Sequence, residues 1–176
     1  MLGVKRNHVT LTSFNDEWSA QYQITKNELL NILSDNVIEI HHVGSTAIKG
    51  IVAKPILDVA VVIKNEKSLN FDGMESADYE YCGECGVIGR HLFVRRVNGD
   101  ISTHHIHCYL ENNENYNQVI LFCKFLNEHT EYAKQYSEMK IKLASNHSDD
   151  RVAYTDGKEN FIIQIIKKAK NEYQTE

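Results

Sequence analysis

The sequence predicts an α+β domain: a mixed β-sheet flanked by helices, with the C-terminal helices packing on the sheet. Three observations carry this expectation. Pro55 to Ile63 (PILDVAVVI) is nearly all apolar and β-branched at its end, the pattern of a central strand buried on both faces. Asn98-Gly99-Asp100 lies between two extended runs, which is a hairpin signal. After Glu111 the spacing of apolar residues changes to that of helices. A length of 176 residues fits one domain, taken as 1–176.

The elements follow in order. Ser13 is a candidate N-cap for a first helix, on which Trp18, Tyr22, Leu29 and Leu33 share a face. Val37 to Val43 (VIEIHHV) reads as a strand ending in a Gly-Ser-Thr turn. The apolar strand over 55–63 comes next, then a polar helix-and-loop stretch from Asn65 to Glu80. Leu92–Val97 and Ile101–Leu110 (ISTHHIHCYL) are the hairpin strands. Val119, Phe122, Phe125 and Leu126 mark one late helix, and Tyr132, Tyr136, Met139 and Leu143 another. Thr155 is a candidate cap for the last helix, striped by Phe161, Ile162, Ile165, Ile166 and Ala169.

Composition narrows the function classes. With 19 Lys+Arg against 24 Asp+Glu, the net charge of −5 argues against an extended nucleic-acid surface, because counterion release needs concentrated basic residues. A small basic pocket for a phosphorylated ligand is compatible with it. No apolar run of about 18 residues predicts a membrane span, and residues 1–18 lack the apolar core of a secretory signal. The expectation is a cytoplasmic protein whose four cysteines are reduced. Six of the nine histidines fall between His41 and His107.

The sharpest constellation is Val43-Gly44-Ser45-Thr46, a spacer of eleven residues, and Asp58. A strand ending in a tight turn at a helix start exposes backbone N–H groups and hydroxyls that hold phosphate. An aspartate on the neighbouring strand then suits a divalent metal beside those phosphates, the layout that nucleotidyl transfer uses. A Gly-Ser pair by itself is equally a plain helix cap. Asp58 is harder to explain that way, because a buried charge is costly unless paired or metal-bound.

HHVGSTAIKGIVAKPILDVAVVI closely resembles the signature of the GrpB family. The resemblance runs on through THHIHCY (103–109), through Phe122, Leu126, Tyr136 and Lys140, and ends at YTDGKENFI (154–162). It implies a nucleotidyltransferase-like fold related to the DNA polymerase beta-type enzymes. It also implies a divalent metal (Mg, Mn or Zn), an NTP as substrate, and a small-molecule or nucleotide ligand. Gly44, Ser45 and Thr46 are then expected to cradle phosphates, with Lys54, Arg90 and Lys158 compensating their charge. Asp58 is expected to serve as catalytic residue and metal ligand, and Glu84 as base or extra ligand.

One position departs from that pattern. Enzymes of this superfamily carry Asp-x-Asp/Glu on one strand face, whereas here Asp58-Val59-Ala60 leaves Ala60 where the second carboxylate belongs. His105 and His107, two apart on a strand, share a face and are the candidates to complete the metal shell with Asp58. Such a mixed N/O set suits Zn, Mn, Fe or Ni better than Mg. His104 is expected to face the other way. Arg95 and Arg96 alternate, so at most one serves a pocket. Cys82-x-x-Cys85 lacks the context of a zinc knuckle or redox motif and lies outside the family pattern.

Three functions remain in view. The leading one is metal-dependent transfer of a nucleotidyl or phosphoryl group from an NTP to a small molecule. The second is a non-catalytic module that binds a nucleotide or coenzyme-A precursor, in keeping with Ala60 and with the fusion of some GrpB relatives to dephospho-coenzyme A kinase. The third is a metal-dependent hydrolase built on Asp58, His105 and His107.

Overall fold

The apolar run around Asp58 forms β3 (Leu57–Ile63) of a mixed sheet in the computed structural model, which describes residues 2–173. Its neighbours are β2 (Val37–Val43), antiparallel, and β6 (Ile101–Leu110), parallel. Beyond β6 lie β5 (Arg90–Val97) and the edge strand β4 (Tyr79–Tyr81), so the order is β2-β3-β6-β5-β4. A short β1 (Val4–Lys5) pairs with the start of β6. The hairpin between β5 and β6 turns at Asn98 and Gly99, both at positive φ, as its Asn-Gly requires.

The parallel pairing of β3 with β6 explains the uniformly apolar sequence of β3, because both faces of a central strand are covered. Leu57, Val59, Val61 and Ile63 pack on α1 (Glu17–Leu33) through Trp18, Tyr22, Leu29 and Leu33. Ala60 and Val62 face the opposite core, built with α3 (Glu114–Glu128), α4 (Thr130–Asn146) and α6 (Glu159–Tyr173). Tyr136 ties that layer together, with its ring edge-on to Phe122 at 5.2 Å and stacked on Phe161 at 5.3 Å. Each face therefore has its own apolar cluster, and the even-numbered residues of β3 all turn toward α3, α4 and α6.

Several local expectations are corrected. The helix α1 begins at Glu17, and the side chain of Asn15, not Ser13, accepts the Glu17 N–H. Thr155 does not cap the last helix: it lies inside the short α5 (Arg151–Asp156), where its hydroxyl donates to the Arg151 carbonyl. Asp150 caps α5 by accepting from Ala153 N–H. The stretch read as helix and loop holds α2 (Phe71–Ser76) but also the edge strand β4, too short for period 2 to register. No helix among the described residues is long and apolar enough to cross a membrane.

Candidate functional site

The site begins where β2 ends. Gly44 has φ +70 and ψ −170, a region almost reserved for glycine, and Ser45–Ala47 follow as a single 3-10 turn. Val43 is in register with Asp58, so the turn sits directly against that carboxylate. A Cβ placed on Gly44 would come within 2.5 Å of Asp58 Oδ2. Glycine is thus required twice over, by conformation and by approach.

Parallel pairing aligns Asp58 with His105 and Ala60 with His107. His105 Nδ1 and His107 Nε2 converge on one oxygen, Asp58 Oδ1, at 3.1 and 3.2 Å. The donor atoms of all three residues lie within 4.8 Å of one another. Arg90 Nη1 donates to His107 Nδ1 at 3.3 Å, while its Nε and Nη2 donate to the Glu84 carbonyl. A guanidinium offers only N–H groups, so His107 Nδ1 must present its lone pair there. His107 is therefore neutral, with its proton on Nε2 directed at Asp58. Burial works the same way and lowers the His107 pKa despite the neighbouring carboxylate. Burial alone would raise the Asp58 pKa, but the hydrogen bonds from His105 and His107 hold it well below the usual carboxylate range.

These groups open into a cavity of about 430 Å³ whose lining is rich in cations. Lys54, Arg90, Arg151 and Lys158 all line it, as do Gly44 and Ser45. Val119, Phe122, Ile162 and Ile166 form an apolar side wall. Lys54 and Lys158 lie 5.0 and 4.7 Å from the centre of the same Tyr154 ring. Burial, reinforced by Lys158 and Arg151, lowers Lys54 to about 7, and burial lowers Lys158 as well. Behind them Lys140, fully buried in α4, donates to the Val52 carbonyl and is brought to about 7 by burial.

The structure brings together Gly44, Ser45, Lys54, Asp58, Arg90, His105, His107 and Lys158. It does not bring Thr46 or Glu84. The Thr46 hydroxyl turns into the core, bonded to His42 Nε2 at 2.9 Å and to the Ile56 carbonyl. Glu84 is exposed, and its carboxylate is engaged by Gly89 N–H at 2.6 Å; only its backbone carbonyl reaches Arg90. The expected base or extra ligand is instead the brace of a loop. His104 faces α1 and α2 with Tyr79, and burial lowers it to about 4. Arg95 and Arg96 pair with Glu28 and Glu80, away from the cavity. Cys82 and Cys85 belong to none of the three-residue metal-ligand groupings among the described residues.

Ala60 is fully buried under the helical layer and does not line the cavity. The place of a second carboxylate is filled by core packing rather than left open. Sequence reasoning missed Arg151 and Tyr154 as site residues. Both sit in a polar stretch before the last helix, where apolar periodicity gives no signal.

The family model described as GrpB protein matches residues 8–168. UPF0157 protein YqkA of Bacillus subtilis is 32% identical over 167 residues, which are 94% of this chain and 48% of YqkA; the chain spans about half the length of that relative. The glutamate-rich protein GrpB of Alkalihalophilus pseudofirmus is 30% identical over 94% of this chain and 98% of its own length. The crystal structure of the conserved protein GrpB from Enterococcus faecalis overlays with a TM-score of 0.87 at 30% identity, covering 94% of this chain and 99% of that one. With the family model matching most of the chain and a relative of 30% identity covered almost end to end, the chain belongs to the GrpB protein family.

Proposed function

We propose that the protein binds an NTP with a divalent metal in this cavity and transfers a nucleotidyl or phosphoryl group to a small molecule. The observation that carries the reading is the meeting, in one cavity, of a carboxylate–imidazole donor set with four basic side chains at a Gly-Ser turn. Two imidazole nitrogens and a carboxylate oxygen within 4.8 Å of one another fit one ion with bonds of about 2 Å. That donor set favours Mn or Zn over Mg. Asp58, His105 and His107 would hold the ion, which when bound neutralises charge on the phosphates.

The chain's own residues do the rest. The Ser45 hydroxyl, which lines the cavity, would bind phosphate oxygens together with the backbone N–H groups at the start of the 3-10 turn. Lys54 and Lys158 add point charges, and Arg90 adds a planar fork suited to two oxygens. Arg90 now donates to His107 Nδ1; if that nitrogen takes the ring proton, the guanidinium loses its acceptor and is released to phosphate. The apolar wall of Val119, Phe122, Ile162 and Ile166 lines one side of the site and limits its contact with water there.

One observation favours a second reading. With Ala60 locked in the core, a second strand carboxylate is missing, and a module that binds the nucleotide without turnover is the alternative. Calorimetry of each NTP with Mn or Zn, followed by measurement of phosphate and pyrophosphate release, separates the two. Nucleotide binding that weakens at least tenfold in Asp58→Asn is expected. Absence of nucleotide binding with every metal, or binding indifferent to Asp58→Asn, removes the transfer reading; tight binding with no NTP consumed leaves the module.

A further inference from the structure

The basic lining of the cavity carries an inference of its own, which rests on the reading above and specifies the chemical group its ligand presents. Three cations reach one spot from three segments. Lys54 comes from the loop ahead of β3, Arg151 from the first residue of α5, and Lys158 from the turn between α5 and α6. The two ammonium groups share the Tyr154 ring, which is 1% exposed. None of the three side chains is ion-paired among the described residues. Asp58 is the carboxylate whose charge reaches Lys54 and Lys158, and it is already engaged by His105 and His107. Lys140 adds a fourth basic group from behind, and its charge is coupled to Lys158 and Lys54.

Like charges gathered in a half-buried cavity repel and lose hydration, so the empty arrangement is destabilising. Its lysines respond by giving up protons near neutral pH. An anion reverses both costs.

We propose that Lys54 and Lys158, over the Tyr154 ring, form with Arg151 of the same cavity an anion subsite for a dianionic group, the terminal phosphate of a phosphorylated small molecule, and that the subsite takes up a proton as this group binds. Arg151 keeps its charge at every relevant pH and anchors the group. Lys54 supplies the proton-dependent part, facing Lys158, Arg151, Lys140 and, more weakly, Asp58. The proton comes from solvent and ends on Nζ of Lys54, so no other reactant is involved.

Sodium sulfate is the probe for the pH dependence, because its two charges are constant from about pH 6 to 9, and inorganic phosphate is the second probe. Both are titrated calorimetrically and by thermal shift into the metal-free full chain at constant ionic strength. Sulfate affinity is expected to fall up to about tenfold per pH unit above pH 7, with heats that differ between buffers of different ionisation enthalpy. Lys54→Met and Lys158→Met are expected to melt higher than wild type without anion, since each removes repulsion, yet to lose the rise that sulfate gives. Lys54→Met also flattens the pH dependence, and Asp58→Asn retains sulfate binding.

The subsite is overturned if wild type binds neither anion at pH 6.5, if sulfate protects all variants equally, or if the methionine variants melt lower than wild type. Sulfate binding without any NTP binding leaves the subsite standing and removes the transfer reading. NTP binding with Mn but no response to sulfate or phosphate removes the subsite alone.

Discussion

Replacing Gly44 with alanine tests whether the Gly-Ser turn positions the carboxylate. Two costs follow from the structure. The backbone at φ +70, ψ −170 is strained for any residue with a Cβ, at about 1–3 kcal/mol. The new methyl would also lie 2.5 Å from Asp58 Oδ2 and 2.9 Å from its Cβ, closer than contact allows, so Asp58 must move. Moving it breaks at least one of the bonds from His105 and His107, and a hydrogen bond to a charged group contributes roughly 1.5–3 kcal/mol. The sum is about 2.5–6 kcal/mol. Gly50, with φ +73 and open space around its would-be Cβ, is the control, because Gly50→Ala meets strain without the clash. Urea unfolding of both variants should show Gly44→Ala less stable than Gly50→Ala by about 2 kcal/mol or more. At about 2–4 °C per kcal/mol in a chain of this size, the melting temperatures should differ by at least about 4 °C. Equal losses within about 0.5 kcal/mol would refute the idea that Gly44 pins Asp58.

Two further outcomes follow. Ala60→Asp creates an Asp-x-Asp pair on the strand but buries a carboxylate in a fully packed position, so it should cost about 3–5 kcal/mol and add no metal affinity; metal binding tighter than wild type, read by calorimetry, would contradict this. Burial lowers His42 and His104 to about 4, so both bind protons more weakly folded than unfolded. The stability they hold is present above about pH 6.5 and drains as pH falls toward 4, on the order of a few kcal/mol together. Denaturant unfolding across that range should show this slope, and His104→Asn should flatten it.

Much of the molecule is local information, and that part was legible. The run PILDVAVVI announces a strand covered on both faces, and β3 has helices on each side. Asn98-Gly99 announces the hairpin because two successive positive φ angles suit little else. The i, i+2 spacing of His105 and His107 places them on one face, since strand side chains alternate without exception to the sheet's pleat. Thr46 shows the limit of such reasoning. It adjoins the turn in sequence, but the handedness of one 3-10 turn points its hydroxyl at His42 and into the core. Glu84 is similar: its loop does approach the cavity, yet a sharp turn at Gly89 claims its carboxylate.

What the sequence determined by itself is the chemistry available: one carboxylate, two imidazoles and a Gly-Ser turn on adjacent strands of an acidic α+β domain. Only the tertiary structure decided which charges meet. Lys54 lies far along the chain from Arg151 and Lys158, and packing of α5 and α6 over the sheet brings Lys54 and Lys158 to a single tyrosine ring, with Arg151 lining the same cavity. Periodicity reports which face of an element is buried; the position of one element over another depends on side-chain packing summed across the whole core, which no local window contains.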